Sequence, residues 1–171
     1  MRLTLECYIL LFFTGAFLGW VMEVVCKLIQ FGRFINRGFL IGPYCPIYGF
    51  GAVLVTALLT PFSASPPAVF ALAMAVCGTL EYLTSYAMEK LFHARWWDYS
   101  HRRFNLNGRV CAGTLIPFGL MGLGMVYVAR PVLFGLYLRL PQAWMDGLCL
   151  GLCALLLGDT VLSATILGKI R

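Results

Sequence analysis

The residues E-Y-L-T-S-Y-A-M-E-K-L-F-H-A-R-W-W-D-Y-S-H-R-R-F-N-L-N-G-R, positions 81–109, decide how this chain reads. The stretch begins inside an apolar segment with a carboxylate, Glu81, and leaves that segment through Glu89 and Lys90. It then passes Trp96, Trp97 and Tyr99 and ends in a polar cluster, Asn105, Asn107 and Arg109. Amphipathic rings settle where a bilayer meets water. A carboxylate in the apolar run before them points to a helix interior with work to do.

Composition extends this reading to the whole chain. Of 171 residues, 61% are hydrophobic and 12% charged, against roughly 25% charged in an ordinary soluble domain. Several apolar runs approach the ~20 residues needed to cross a bilayer. The fold class is therefore all-α, a polytopic transmembrane bundle of about five helices. No linker or low-complexity tract divides it, so residues 1–171 read as a single transmembrane domain. The lipid bilayer is the first partner implied.

The net charge of +6 does not indicate nucleic acid, because the basic residues sit in short loops between apolar runs. The seven cysteines form no CxxC pair, which argues against a zinc site or a disulfide framework. His93 and His101 lack metal-site spacing and read as solvated loop residues. No metal or other cofactor is implied. The N-terminal run carries Glu23 and Lys27 and lacks a small-residue cleavage site, so it reads as a retained first helix.

Helices are expected over 3–31, from about 46 to 60, 68–91, 110–129 and 146–167. In the first, Glu23 and Lys27 stand one turn apart and can pair, while Gly15 and Gly19 form a GxxxG packing motif. The second opens on G-F-L-I-G-P-Y-C-P, residues 38–46, whose glycines and prolines predict an irregular entrance before regular helix from Pro46. A proline-kinked packing helix is the alternative. Arg130 and Pro131 are expected to end the fourth helix, leaving 132–145 as an interfacial connector. The alternation places ten Lys/Arg on one side and three on the other, so the positive-inside rule sets the N-terminus outside and the C-terminus in the cytoplasm. A loose parallel repeat relates the two halves: an acidic helix (Glu23, Glu81), a basic loop with Asn36-Arg37-Gly38 or Asn107-Gly108-Arg109, then a glycine-rich helix.

Glu23, Glu81 and Asp159 lie on helices that run in one direction. A charge at a helix centre costs roughly 3 kcal/mol on insertion scales, so each marks either a pathway or a packing contact. Lys27 favours packing for Glu23, the lack of a cation within one turn favours function for Glu81, and Asp159 stays open. Tyr44 and Tyr48 of the broken helix and Ser85, one turn beyond Glu81, complete the pathway candidates. Asp98 and Arg109 are expected to face each other across the 90–109 loop, with Trp96, Trp97 and Tyr99 tethering its middle to the interface.

Two blocks, R-G-F-L-I-G-P-Y-C-P-I-Y-G-F-G-A (37–52) and E-Y-L-T-S-Y-A-M-E-K-L-F-H-A-R-W-W-D-Y-S with F-N-L-N-G-R (81–109), resemble the bacterial ABC-transporter permease family called CmpB or type IV. The resemblance covers about residues 10–128. It implies a small multi-pass protein of the bacterial cytoplasmic membrane, labelled as a transporter component. The chain carries no Walker A loop, so ATP-derived energy would come from a separate ATPase subunit. No EAA-type coupling segment is present. A homo-oligomer is left open. Two further readings stand beside transport: an enzyme or binding protein for lipid or polyprenyl headgroups, using Asp98, Asn105, Asn107 and Arg109, or a non-catalytic accessory subunit.

Overall fold

Prolines and glycines set most of the element boundaries. The computed structural model describes residues 2–36 and 38–169; Arg37 and Arg171, counted in the charge asymmetry, lie outside the described residues. Among the described residues there are five helical rods: α1 (Arg2–Phe31), α2 (Pro46–Leu59), α3 (Pro66–Phe92), α4 (Ala112–Tyr137) and α5 (Gln142–Lys169). Four of them, all but α2, are long and apolar enough to cross a membrane. The all-α reading holds, with a polytopic membrane protein as its consequence.

α2 begins at Pro46, as its proline requires, since the first helical position needs no N–H. It has 14 residues and is prolonged by a 3-10 turn over Thr60–Phe62. At 1.5 Å per residue, plus ~2 Å for each 3-10 residue, the rod spans roughly 27 Å, just short of a ~30 Å hydrocarbon core. α3 starts at Pro66, two residues before the expected boundary, and ends where His93 turns left-handed (φ 46°).

The connector expected at 132–145 is not formed. The helix continues through Arg130 and Pro131 to Tyr137, by way of a π-helical turn over Met125–Ala129. Proline would clash with the carbonyl four residues back and leaves it without a donor. The wider turn, in which the Arg130 N–H donates to the Met125 carbonyl, makes room for the ring without ending the helix. α5 correspondingly begins at Gln142 rather than 146.

The chain forms two compact units, Met1–Phe50 with Leu133–Arg171, and Gly51–Val132. In the first, α1 packs on α5, and Leu11, Met145 and Cys7 are fully buried. Gly19 does the work expected of a small residue: a Cβ there would lie 2.2 Å from the Tyr48 ring. Gly49 allows the same closeness to the Phe12 carbonyl, at 2.6 Å. Thus the GxxxG glycine serves close approach to the broken second helix.

In the second unit, Val55, Leu59, Val69, Ala73 and Val126 form the apolar core. α3 and α4 approach closely because Gly119 faces Phe70 and Gly122 faces Ala73, where added Cβ atoms would lie at 2.5 and 2.2 Å. Between these helices lies a small hairpin absent from the expected elements: β1 (Asn105–Leu106) pairs with β2 (Val110–Cys111). Asn107 (φ 54°) and Gly108 (φ 68°) turn it, with the Arg109 N–H donating to the Leu106 carbonyl. Asn-Gly is the residue pair that tolerates two successive positive φ angles.

Candidate functional site

Positions 81, 85 and 89 of α3 fall one helical turn apart and so share a face. In the structure that face is covered by the 93–111 segment, which folds back along the last three turns of α3. Each polar side chain on the face is matched by one from the returning chain.

Glu81 is buried, 6% exposed. Its carboxylate accepts from the Tyr99 hydroxyl at 3.1 Å and the Thr114 hydroxyl at 3.0 Å. Thr114 stands in the first turn of α4, where Cys111 is the N-cap. The unbonded N–H groups of a helix N-terminus favour a negative charge nearby. That placement, together with the two hydroxyls, is how an acidic group is tolerated beside an apolar helix.

One turn on, buried Ser85 accepts from Arg109 Nη1 at 3.3 Å. The other guanidinium nitrogen, Nη2, meets Glu89 Oε2 at 2.6 Å. The group also lies over the Tyr86 and Tyr82 rings, 5.3 and 5.8 Å from their centroids. Arg109 is thus 9% exposed, with both terminal nitrogens engaged. Asn107 donates to the Tyr82 hydroxyl at 2.9 Å, and Trp97 Nε1 donates to the Arg109 carbonyl at 3.0 Å. Asn105 is a turn-former: it donates to the Arg102 carbonyl (2.7 Å) and accepts from the Gly108 N–H (2.9 Å). Trp96 packs edge-on against Phe92.

The expected Asp98–Arg109 pair is not made. Asp98 belongs to a chain of alternating charge in which Arg95 links it (3.7 Å) to Glu89 (3.0 Å), and Glu89 links to Arg109. Two hydrogen bonds from Ser100, hydroxyl and backbone N–H, hold the Asp98 carboxyl below its ordinary range, and Arg95 adds attraction. A lowered pKa stabilises the folded turn above the ordinary Asp range, and that stabilisation is lost as acid protonates the group. Asp98 therefore shapes the loop rather than facing Arg109. Glu89, Tyr82, Tyr86, Arg95 and Thr114 are the members not named among the sequence candidates. The i, i+4 recurrence of 82/86 and 85/89 is the signal that carries three of them, Tyr82, Tyr86 and Glu89.

In the other unit, Asp159 is the organising group. It accepts from the backbone N–H groups of Ile41 (3.1 Å) and Gly42 (2.8 Å), from the Tyr44 hydroxyl (2.6 Å) and from Ser163 (2.9 Å). The irregular entrance to α2 leaves backbone donors unpaired, and Asp159 on α5 satisfies two of them. Glu23 accepts from the Tyr48 hydroxyl at 2.7 Å, while Lys27 turns to Gln30 (2.9 Å) and the Phe31 ring. A further carboxylate, Glu6, is buried and held by Gln142 at 2.8 and 3.0 Å; it lies in the second turn of α1 and is not among the sequence candidates. Replacing Asp159 by alanine should raise amide exchange at Ile41 and Gly42 by about tenfold or more, since each loses a charged acceptor. Unchanged exchange there would show that the entrance holds itself. Among the described residues, no group of three or more His, Cys, Asp or Glu side chains is placed to hold a metal ion.

Four membrane-length apolar rods, a broken short helix and carboxylates tied to hydroxyls define a multi-pass helical membrane protein. A family model described as "Putative ABC-transporter type IV" matches residues 10–164, and the chain belongs to that family. The match extends past the two resembling blocks to include Asp159. No curated protein and no solved structure matches the chain.

Proposed function

We propose that this chain is a permease-like component of an ABC-type transporter, one transmembrane domain of the bacterial cytoplasmic membrane, with Glu81 on the path its substrate takes. The observation that carries the reading is Glu81 itself. It is a buried carboxylate on an apolar helix, accepting hydrogen bonds from the hydroxyls of Tyr99 and Thr114. Family membership supports a transporter context, with a separate ATPase subunit as energy source.

A headgroup-binding protein or enzyme at the interface is the second reading. It is weakened by Arg109, whose guanidinium is already taken by Glu89, Ser85 and two tyrosine rings. Gentle-detergent purification, followed by mass spectrometry of bound proteins and small molecules, separates the readings. Recovery of an ATPase subunit supports transport, whereas turnover of a lipid by the purified chain alone supports the enzyme. Stable capture in a larger complex that tolerates loss of Glu81 supports the accessory subunit.

The same proposal sets the N-terminus outside and the C-terminus in the cytoplasm. Reporter fusions at the two ends should give opposite signals. Both ends on one side would overturn the five-crossing arrangement.

A further inference from the structure

The tip of the 93–111 segment carries groups that the site above leaves unused. Phe104, just before the hairpin, is 87% exposed, and Leu106 within it is 58% exposed. Phe104 also sits at positive φ (54°), which is uncommon and strained for a bulky residue. Its carbonyl accepts from the N–H of Ala112, the first residue of α4, at 3.2 Å. The backbone is therefore pinned with the ring turned outward, at the level where a membrane-length helix starts. Beside it, Arg102 and Arg103 are exposed, and neither guanidinium has a partner among the described residues. The nearby acids, Asp98 and Glu89, are already engaged with Arg95 and Arg109. Leu106 in turn forms one wall of an apolar groove of about 490 Å³ along α3, with Met74, Gly78, Leu83, Val110 and Leu115.

We propose that this tip is a docking site for an anionic glycerophospholipid of the adjacent leaflet. Arg102 and Arg103 take its phosphate, Phe104 and Leu106 enter the acyl region, and one chain lies in the groove beneath Leu106. Charge and apolarity are arranged as a lipid presents them, with cations at the headgroup level and rings and aliphatic carbons just below. A soluble acidic protein would match the arginines but would not need a groove that opens along a membrane-spanning helix. The inference stands apart from the transport reading and from Glu81.

The test uses the purified full chain in neutral detergent, titrated with phosphatidylglycerol or phosphatidylcholine. Bound lipid is counted by native mass spectrometry and thermal stability is followed in parallel. Wild-type protein should bind phosphatidylglycerol at least tenfold more tightly and gain stability from it selectively. Each basic side chain near such a surface is worth about a fivefold change. Arg102→Ala with Arg103→Ala should therefore remove most of the preference, and Arg102→Lys with Arg103→Lys should keep it. Phe104→Ser should weaken both lipids alike. Equal binding of the two lipids by wild type, or a preference that survives in the double alanine variant, would overturn the proposal. All three positions are exposed, so their substitutions leave the core intact.

Discussion

Replacing Glu81 by glutamine is expected to leave the protein inserted and folded at wild-type abundance while abolishing its transport activity. An amide is easier to place in a membrane than a carboxylate, so insertion should not suffer. Its carbonyl oxygen can still accept from Tyr99 or Thr114. What is lost is the negative charge beside the first turn of α4, an interaction worth roughly 0.3–1 kcal/mol. Leucine at the same position should behave differently. It removes the acceptor that Tyr99 and Thr114 share, and Thr114 keeps only the Cys111 carbonyl at 2.9 Å to donate to, so it should cost about 1 kcal/mol or more and lower both abundance and activity. The readouts are protein level, thermal unfolding, and transport of whichever small molecule copurifies with wild type. A fully active glutamine variant would assign Glu81 to packing and remove the main support for a path beside it.

The second large effect belongs to Arg109. Truncation to alanine removes the guanidinium from Glu89, Ser85, Tyr82 and Tyr86 at once. A loss of about 2 kcal/mol is reasonable for the charged hydrogen bonds and ring contacts together. In a chain of this size that lowers the unfolding midpoint by roughly 4–8 °C. Lysine should rescue only partly, because a single ammonium cannot meet Glu89 and Ser85 in the forked geometry. A double-mutant cycle discriminates further. Arg109→Ala and Glu89→Ala together should cost clearly less than their sum, since each single change already breaks the shared contact. Arg109→Ala and Asp98→Asn should be closer to additive, the two being joined only through Arg95 and Glu89. The reverse outcome would mean that Asp98 is the true partner of Arg109.

Several of these features can be followed back to particular residues. Apolar length alone specifies the four long rods, and Gly38, Pro43 and Pro46 mark the irregular entrance to α2, because backbone rules act locally. Glu81, Ser85 and Glu89 share a face by helical spacing, so a polar stripe was legible before any fold. The continuation of α4 past Pro131 was not. Proline stops most helices, and nothing in the residues around Pro131 announces the π turn that admits it. The hairpin was signalled by Asn107-Gly108, but strands of two residues give no periodicity to support it.

By itself, then, the sequence determined the solvent of this protein, its helical class, the rows of polar residues and the family resemblance. All of these follow from composition and from periodicities within one element. Only the tertiary structure decided who pairs with whom: Arg109 with Glu89 rather than Asp98, and Asp159 with the backbone at Ile41 and Gly42. The physical reason is reach. Hydrogen bonds and ion pairs act over about 3 Å, and residues 118 positions apart in the chain come within that distance only when two helices and a loop are packed together.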